Sequence, residues 1–281
     1  MRDFLFYTES VDLFLIIFFG FLGLLVGSFI NVVVLRYGYT ESANPRSECM
    51  QCSATLAWHD LVPVLSYIML RARCRVCGSR LLSQYPLVEL ATGVLFALTA
   101  THVTSFSPIA VFQMLTELAF WAGLVALTAY DMRHTLIPYS FLGFLFGAAL
   151  LHAMLPLLAS FDIVSFALVV GGALVPGLFL GAVVLITRGR GMGAGDAYLA
   201  GIVGLFVGLP NAVPLLLFAI WIGTLWGLLL IFFRINATLK TEIPFAPFLA
   251  LGAVIVLGMT YAGIDTYTWL ADFLSLSSLS S

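Results

Sequence analysis

Two aspartates carry the chemistry most easily read from this chain. Asp131 opens the segment Asp131-Met132-Arg133-His134-Thr135-Leu136-Ile137-Pro138, and Asp196 closes the run Gly191-Met192-Gly193-Ala194-Gly195-Asp196. They are 65 residues apart, and each adjoins a long apolar stretch. Two carboxylates held at one depth can share a proton, because like charges a few ångströms apart resist ionising together. The ionised member then takes a proton from water, while the protonated member polarises a peptide carbonyl and later helps the amine depart. Gly193 and Gly195 suit such a site, since backbone without Cβ atoms lets an extended substrate come close, and they are candidate substrate-binding positions. The same aspartates would also serve as helix caps, Asp196 sitting where a helix N-terminus favours negative charge. Phosphate binding by the glycine-rich turn is disfavoured, because no GxxxxGK[ST] pattern or preceding strand accompanies it.

A second cluster lies in residues 37–85, the only sizeable polar stretch. All four cysteines fall there, as Cys49-x-x-Cys52 and Cys74-x-x-Cys77, with 21 residues between the pairs. Two such knuckles can close a tetrahedral zinc site, each supplying two thiolates from a tight turn. Disulfides compete, but a basic loop places the thiols in the reducing cytoplasm. Four thiolates leave no open position on the metal, so the zinc is structural. Arg71, Arg73, Arg75 and Arg80 surround the second knuckle, where they offset its negative charge or simply fix topology. The apolar run from Leu61 to Leu70 is too short to span a bilayer and is expected at the interface or beneath the zinc subdomain.

The elements that must position these groups are membrane helices. The chain has 281 residues, 62% hydrophobic and 9% charged, against about 25% charged in an ordinary soluble domain. Apolar runs of about 20 residues, enough to cross roughly 30 Å of hydrocarbon, predict eight spans near 11–36, 86–104, 108–130, 136–158, 162–187, 196–209, 212–234 and 246–264. The first is too long, and lacks the small-residue pattern, for a cleaved secretory signal. Eleven of the twelve basic residues fall in alternate segments: Arg36, Arg46, Arg71, Arg73, Arg75, Arg80, Arg133, Arg188, Arg190, Arg234 and Lys240. Only Arg2 is on the other side, and the connections near Thr104–Ser107, Ala159–Ser160 and Pro210–Asn211 carry no Lys or Arg. Since Lys and Arg are retained in the cytoplasm, both termini are expected outside it, and Asp131 and Asp196 at its membrane edge. A net charge of −2 spread over few ionisable groups offers no surface for nucleic acid. Membrane lipid is the expected environment.

These motifs together resemble the type IV prepilin peptidases, bacterial inner-membrane enzymes that process pilins and pseudopilins. The resemblance covers nearly the whole chain. It includes Gly27-Ser28-Phe29-Ile30-Asn31 with Arg36, both cysteine knuckles, Tyr85-Pro86-Leu87-Val88-Glu89-Leu90, the Asp131 segment, the GMGAGD run, and Ile243-Pro244-Phe245-Ala246-Pro247-Phe248. It implies an aspartyl protease of the GxGD type whose catalytic pair maps onto Asp131 and Asp196. Its substrates would be prepilins or pseudopilins, cut after a glycine on the cytoplasmic side, just before their hydrophobic helix. It also implies methylation of the new N-terminal amine with S-adenosylmethionine, an activity of members that bear the cysteine loop. Glu89 would there meet the basic leader or the methylation site.

Two positions depart from the family pattern. The first knuckle reads Cys49-Met50-Gln51-Cys52 where a proline is usual, and Tyr198 stands where a lysine usually follows the second aspartate; Arg188, Arg190 or Lys240 are candidates to take that role. Glu117, in mid-span, is expected to be protonated, paired or facing a polar cavity. Asn31 and Ser28 read as packing residues between helices, and His134 as a solvated loop histidine. The fold expected is an all-α bundle of about eight spans, with a first span at 1–36, a zinc subdomain at 37–85 and a seven-span peptidase domain at 86–281. Rival readings are an ion-coupled transporter, which would need midplane carboxylates in an inverted repeat, and a secretion scaffold that recruits partners through the zinc loop.

Overall fold

The computed structural model describes residues 2–38 (side chains from 13), 47–103, 106–233 and 243–266, with 268, 269 and 272. Expectations for Arg46, Thr104, Arg234, Lys240 and the Arg2 side chain lie outside the described residues. Among these residues the structure is all helical: α1 (Arg2–Arg36), α2 (Leu65–Met69), α3 (Gln84–Thr101), α4 (Pro108–His134), α5 (Tyr139–Ala159), α6 (Ile163–Thr187), α7 (Ala194–Val207), α8 (Leu209–Phe232) and α9 (Ala246–Tyr261). Only two isolated β-bridges occur, Glu48 with Thr55 and Arg73 with Arg80.

Each expected span appears as a helix, with ends displaced by a few residues. Local chemistry explains several of those ends. Ser107 caps α4 by accepting from the Ala110 N–H at 3.2 Å, with Pro108 at the first helical position. Asp162 caps α6 through the Ser165 N–H at 2.9 Å. Gly208, at φ +77°, ends α7 and starts α8, a conformation that a Cβ would penalise. Among the described residues five stretches are both long and apolar enough to cross a membrane: Leu13–Arg36, α4, α5, α6 and α8. The chain is therefore an integral membrane protein. The other four helices, α2, α3, α7 and α9, are shorter or less apolar, α7 with 14 residues reaching only about 21 Å.

The chain divides into two compact units, residues 1–106 with 121–129, and 107–120 with 130–281. In the first, α1 and α3 pair antiparallel along a seam of small residues. A Cβ on Gly23 would lie 2.6 Å from the Thr92 carbonyl oxygen, and one on Gly27 would lie 2.7 Å from Glu89 Cα. Such close backbones supply the van der Waals contact that holds helices together where lipid removes the hydrophobic drive. Asn31 adds a hydrogen bond, donating from Nδ2 to the Tyr85 carbonyl at 3.1 Å. The four-cysteine subdomain is the excursion between these two helices.

In the second unit, α6 and α7 meet through Gly172 and Gly204, where a Cβ on Gly172 would come within 2.6 Å of the Gly204 carbonyl oxygen. Helices α8 and α9 cross just as closely at Gly252, 2.7 Å from the Leu215 oxygen by the same measure. Phe120 stacks on Phe206 with ring centroids 3.8 Å apart. Glu117, only 3% exposed, accepts from the Tyr261 hydroxyl at 2.9 Å, which is the structural hydrogen bond expected for a mid-span carboxyl. Gly204→Val would drive a side chain into the Gly172 carbonyl and the Pro176 ring. A loss of about 1–3 kcal/mol is expected from such overpacking, read as a lowered thermal midpoint in detergent. Gly181→Val, at a helical glycine with nothing within 4 Å, is the control and should leave the midpoint unchanged.

Candidate active site and metal centre

Asp131 lies inside α4, three residues before its end, and not in the loop that follows. The helix ends only at Thr135, which adopts a left-handed cap, φ +50°, and donates its N–H to the Asp131 carbonyl at 2.8 Å. The carboxyl of Asp131 is 4% exposed, and its Oδ2 accepts from the Ala246 N–H at 3.3 Å. Ala246 is the first residue of α9, so this N–H is one of the donors that a helix start leaves without an internal partner. The IPFAPF motif thus delivers a helix N-terminus to Asp131. Sequence reasoning missed Ala246 as a site residue, although the motif itself, with Pro247 at the second helical position, marked a helix start.

Asp196 is the third residue of α7, and its Oδ2 accepts from the Gly193 N–H at 3.3 Å. The capping arrangement is therefore present, with the carboxylate reaching back to the turn before the helix. Pro138 is the cap just outside α5 at φ −69° and ψ 133°. The first turn of α7, through Gly195, presses on the segment Asp131–Pro138: a Cβ on Gly195 would stand 3.0 Å from Ile137 Cβ. This is how 65 residues of sequence are bridged. Gly193 is exposed, with open space above it apart from the Asp196 carboxyl, while Tyr198 and both Arg188 and Arg190 point to the exterior. His134 is exposed and lies against the Tyr130 ring.

Glu89 belongs to the first unit and is 6% exposed. Its Oε2 accepts from the Val64 N–H at 2.8 Å, with the Ser28 hydroxyl as a further partner. Val64 is held at φ +61° and ψ −48°, the centre of a three-residue turn closed by Leu65 N–H on the Pro63 carbonyl at 2.6 Å. A β-branched residue there is strained, typically by about 1–3 kcal/mol. The buried carboxylate is what pins it.

The four cysteines converge, with all Sγ atoms within 4.8 Å of one another. Each knuckle is built alike. Ser53 N–H bonds the Cys49 carbonyl at 2.9 Å, and Gly78 N–H bonds the Cys74 carbonyl at 2.9 Å, with positive φ at Ser53 and Gly78. Cys49 and Cys77 sulfurs are 3.9 Å apart. Bonds of about 2.3 Å to a tetrahedral zinc put sulfurs roughly 3.8 Å apart, so the donor set fits that ion. The Gln51 N–H pulls the Cys49 thiol down to about 6, despite some burial. At Cys52 the Ala54 N–H acts the same way, but Cys77 and Cys49 outweigh it and push the thiol up to about 11. Crowded thiols thus resist ionising together, and a dication is what reconciles them. Cys52→Ser or Cys77→Ser is expected to bring the metal content of purified protein from one equivalent to near none, measured by elemental analysis.

Asp60 ties the subdomain together, its Oδ1 accepting from Arg75 Nε at 2.9 Å and Nη2 at 2.8 Å. Burial raises the Asp60 carboxyl, but Arg75 and the Ala57 N–H outweigh it and leave it below the ordinary carboxylate range. A group lowered in this way stabilises the fold above its unfolded value near 3.9 and loses that contribution as pH falls through the folded one. The stability gap between wild type and Asp60→Asn should therefore be flat at neutral and mildly acidic pH and close only below about pH 4. Thermal unfolding of the zinc-loaded protein across that range would check it.

Comparison with known proteins adds a second kind of observation. Residues 21–103 match the family model described as the Bacterial Peptidase A24 N-terminal domain, and residues 118–228 match that of the Type IV leader peptidase family. A prepilin leader peptidase/N-methyltransferase of Myxococcus xanthus is 36% identical over 235 residues, covering 80% of this chain and 66% of that protein. Proteins of the same name from Bacillus subtilis and Pseudomonas aeruginosa are each 30% identical. The first match covers 83% of this chain and 90% of the relative, the second 90% and 93%. No solved structure matches.

Proposed function

The chain belongs to the type IV leader peptidase family, and from that premise we propose that it is a membrane aspartyl endopeptidase that removes the leader of type IV prepilins or pseudopilins. Asp131 and Asp196 form the catalytic pair. The observation that carries this assignment is the close approach of Gly195 to Ile137, which joins the two aspartate segments.

The geometry suggests how the pair works. The Ala246 N–H occupies one oxygen of Asp131, and the Gly193 N–H occupies one oxygen of Asp196. Each carboxyl is held in one orientation, with its second oxygen left for the shared proton and for water. One carboxylate takes a proton from water as that water attacks the carbonyl carbon; the other gives its proton to the carbonyl oxygen, and the amine leaves with a proton returned from the pair. The glycine before the cut lets the substrate helix extend locally, and Gly193 and Gly195 offer it a backbone without side chains. Glu89 acts indirectly, by shaping the Val64 turn.

The remaining topology follows from the charge pattern. Eight spans place both termini in the periplasm and the aspartates at the cytoplasmic face of the inner membrane, with 1–36 the first span, 37–85 the zinc subdomain and 86–281 the peptidase domain. The relatives' names carry a second activity, N-methylation, and S-adenosylmethionine would supply the methyl group; no group among the described residues is assigned to hold it. Zinc is structural, since four thiolates complete its shell. The test is direct: purified membranes containing the protein, incubated with a prepilin, should release a product whose new N-terminus follows the leader glycine, and an uncut prepilin would reject the reading.

A further inference from the structure

The subdomain holds a cleft of about 520 Å³ lined by Tyr67, Arg71, Arg73, Arg80, Leu82 and Ser83. Its three arginines are exposed, and among the described residues none is ion-paired. Arg73 reaches only the Gly78 carbonyl, at 3.5 Å. Arg75, by contrast, is neutralised by Asp60 and does not line the cleft. Three arginines lining one hollow, with Tyr67 and Ser83 among its other walls, supply the charge and donors that suit the oxygens of a phosphate.

The helix pairing fixes the height of this cleft. Asn31 bonds the Tyr85 carbonyl, so the antiparallel α1 and α3 are level at that point. From Asn31 to the end of α1 at Arg36 is about 7 Å along the axis. Ser83 and Leu82, just before α3, therefore stand level with the last turn of a helix long and apolar enough to span the bilayer. That is the headgroup layer. Beside the cleft in the chain, Leu65, Ile68 and Met69 share one face of α2 at i, i+3 and i+4, and all are exposed, Met69 by 80%. Trp58 is 81% exposed. An apolar edge next to a basic hollow at this depth is the pattern of a surface that sits in lipid.

We propose that the Arg71–Arg73–Arg80 cleft binds the phosphate of an anionic phospholipid, with Leu65, Ile68, Met69 and Trp58 resting among the upper acyl chains. A basic leader peptide would be repelled from the same hollow. The site anchors the zinc subdomain to the membrane surface independently of the aspartates.

The zinc-loaded, full-length protein is reconstituted in nanodiscs of phosphatidylcholine, alone or mixed with phosphatidylglycerol, then extracted in detergent. Retained lipid is quantified by mass spectrometry. Wild type should be enriched in phosphatidylglycerol over phosphatidylcholine. Arg71→Gln should lower that enrichment about 5-fold and Arg71→Gln/Arg80→Gln about 25-fold, with zinc content unchanged, while Arg133→Gln should not alter it. Equal retention of the two lipids by wild type, or undiminished enrichment in the double variant, overturns the proposal. Displacement of phosphatidylglycerol by added inorganic phosphate would show a free-phosphate site and overturns the lipid assignment.

Discussion

Replacing Asp131 or Asp196 by asparagine is expected to lower prepilin cleavage by about 10⁴-fold or more, as loss of one member of a catalytic unit does elsewhere. Asparagine is the informative choice. Its side-chain oxygen can still accept from the Gly193 N–H, or from the Ala246 N–H, so the hydrogen bonds seen at both sites survive while the titratable proton is lost. Zinc content and thermal midpoint should match wild type. Activity surviving in Asp196→Asn would leave that residue as a helix cap and nothing more. In the wild-type enzyme the rate should fall on both sides of an optimum, because a pair that shares one proton fails when it holds none or two. The two limbs of that profile belong to the pair and should both disappear in either variant.

The second large effect is steric. Gly195→Val should lower cleavage about 10²-fold without removing any reacting group, because its side chain must push Ile137 away, and a misplacement near 1 Å costs that much at an oriented site. Gly195→Ala should cost less, its single methyl needing only a few tenths of an ångström. If the loss arises from separation of the aspartate segments, removing the atom it meets, Ile137 Cβ, should restore it: Ile137→Gly with Gly195→Ala should be more active than Gly195→Ala alone. A double variant no better than the single would break the link between this contact and catalysis. The effect should include a fall in kcat at saturating prepilin, with KM rising as well because Gly195 also offers its bare backbone to the substrate.

The parts of the site that could be read from the chain are those whose signal is local or chemically rare. The cysteine knuckles close within six residues each, Cys49 to Ala54 and Cys74 to Ser79, so spacing alone announced them. Asp131 and Asp196 stood out because carboxylates are scarce beside apolar spans. Ala246 gave no such sign, since a backbone N–H belongs to every residue but proline and only three-dimensional placement makes this one a partner. The tie between Glu117 and Tyr261 joins residues 144 apart, and either side chain alone suggested only that a partner should exist. Helix ends were misjudged where a left-handed residue decided them, as Thr135 did in ending α4 after His134, beyond Asp131. Apolar runs revealed where helices form, but the modest length of α7 and α9 depends on Gly208 and on the turn before Ala246. The strained Val64 could not be foreseen, because nothing about valine invites positive φ.

The antiparallel seam of α1 and α3 has a further implication for how the molecule is assembled. Gly23, Gly27 and Asn31 already hold the two helices in register, so the chain leaves the hairpin at Tyr37 and re-enters it near Ser83 at almost the same place. The cysteine module is then grafted onto a helical stem already held in register. Its exchange should leave the stem's seam intact provided the incoming module offers buried Glu89 a donor in place of the Val64 N–H.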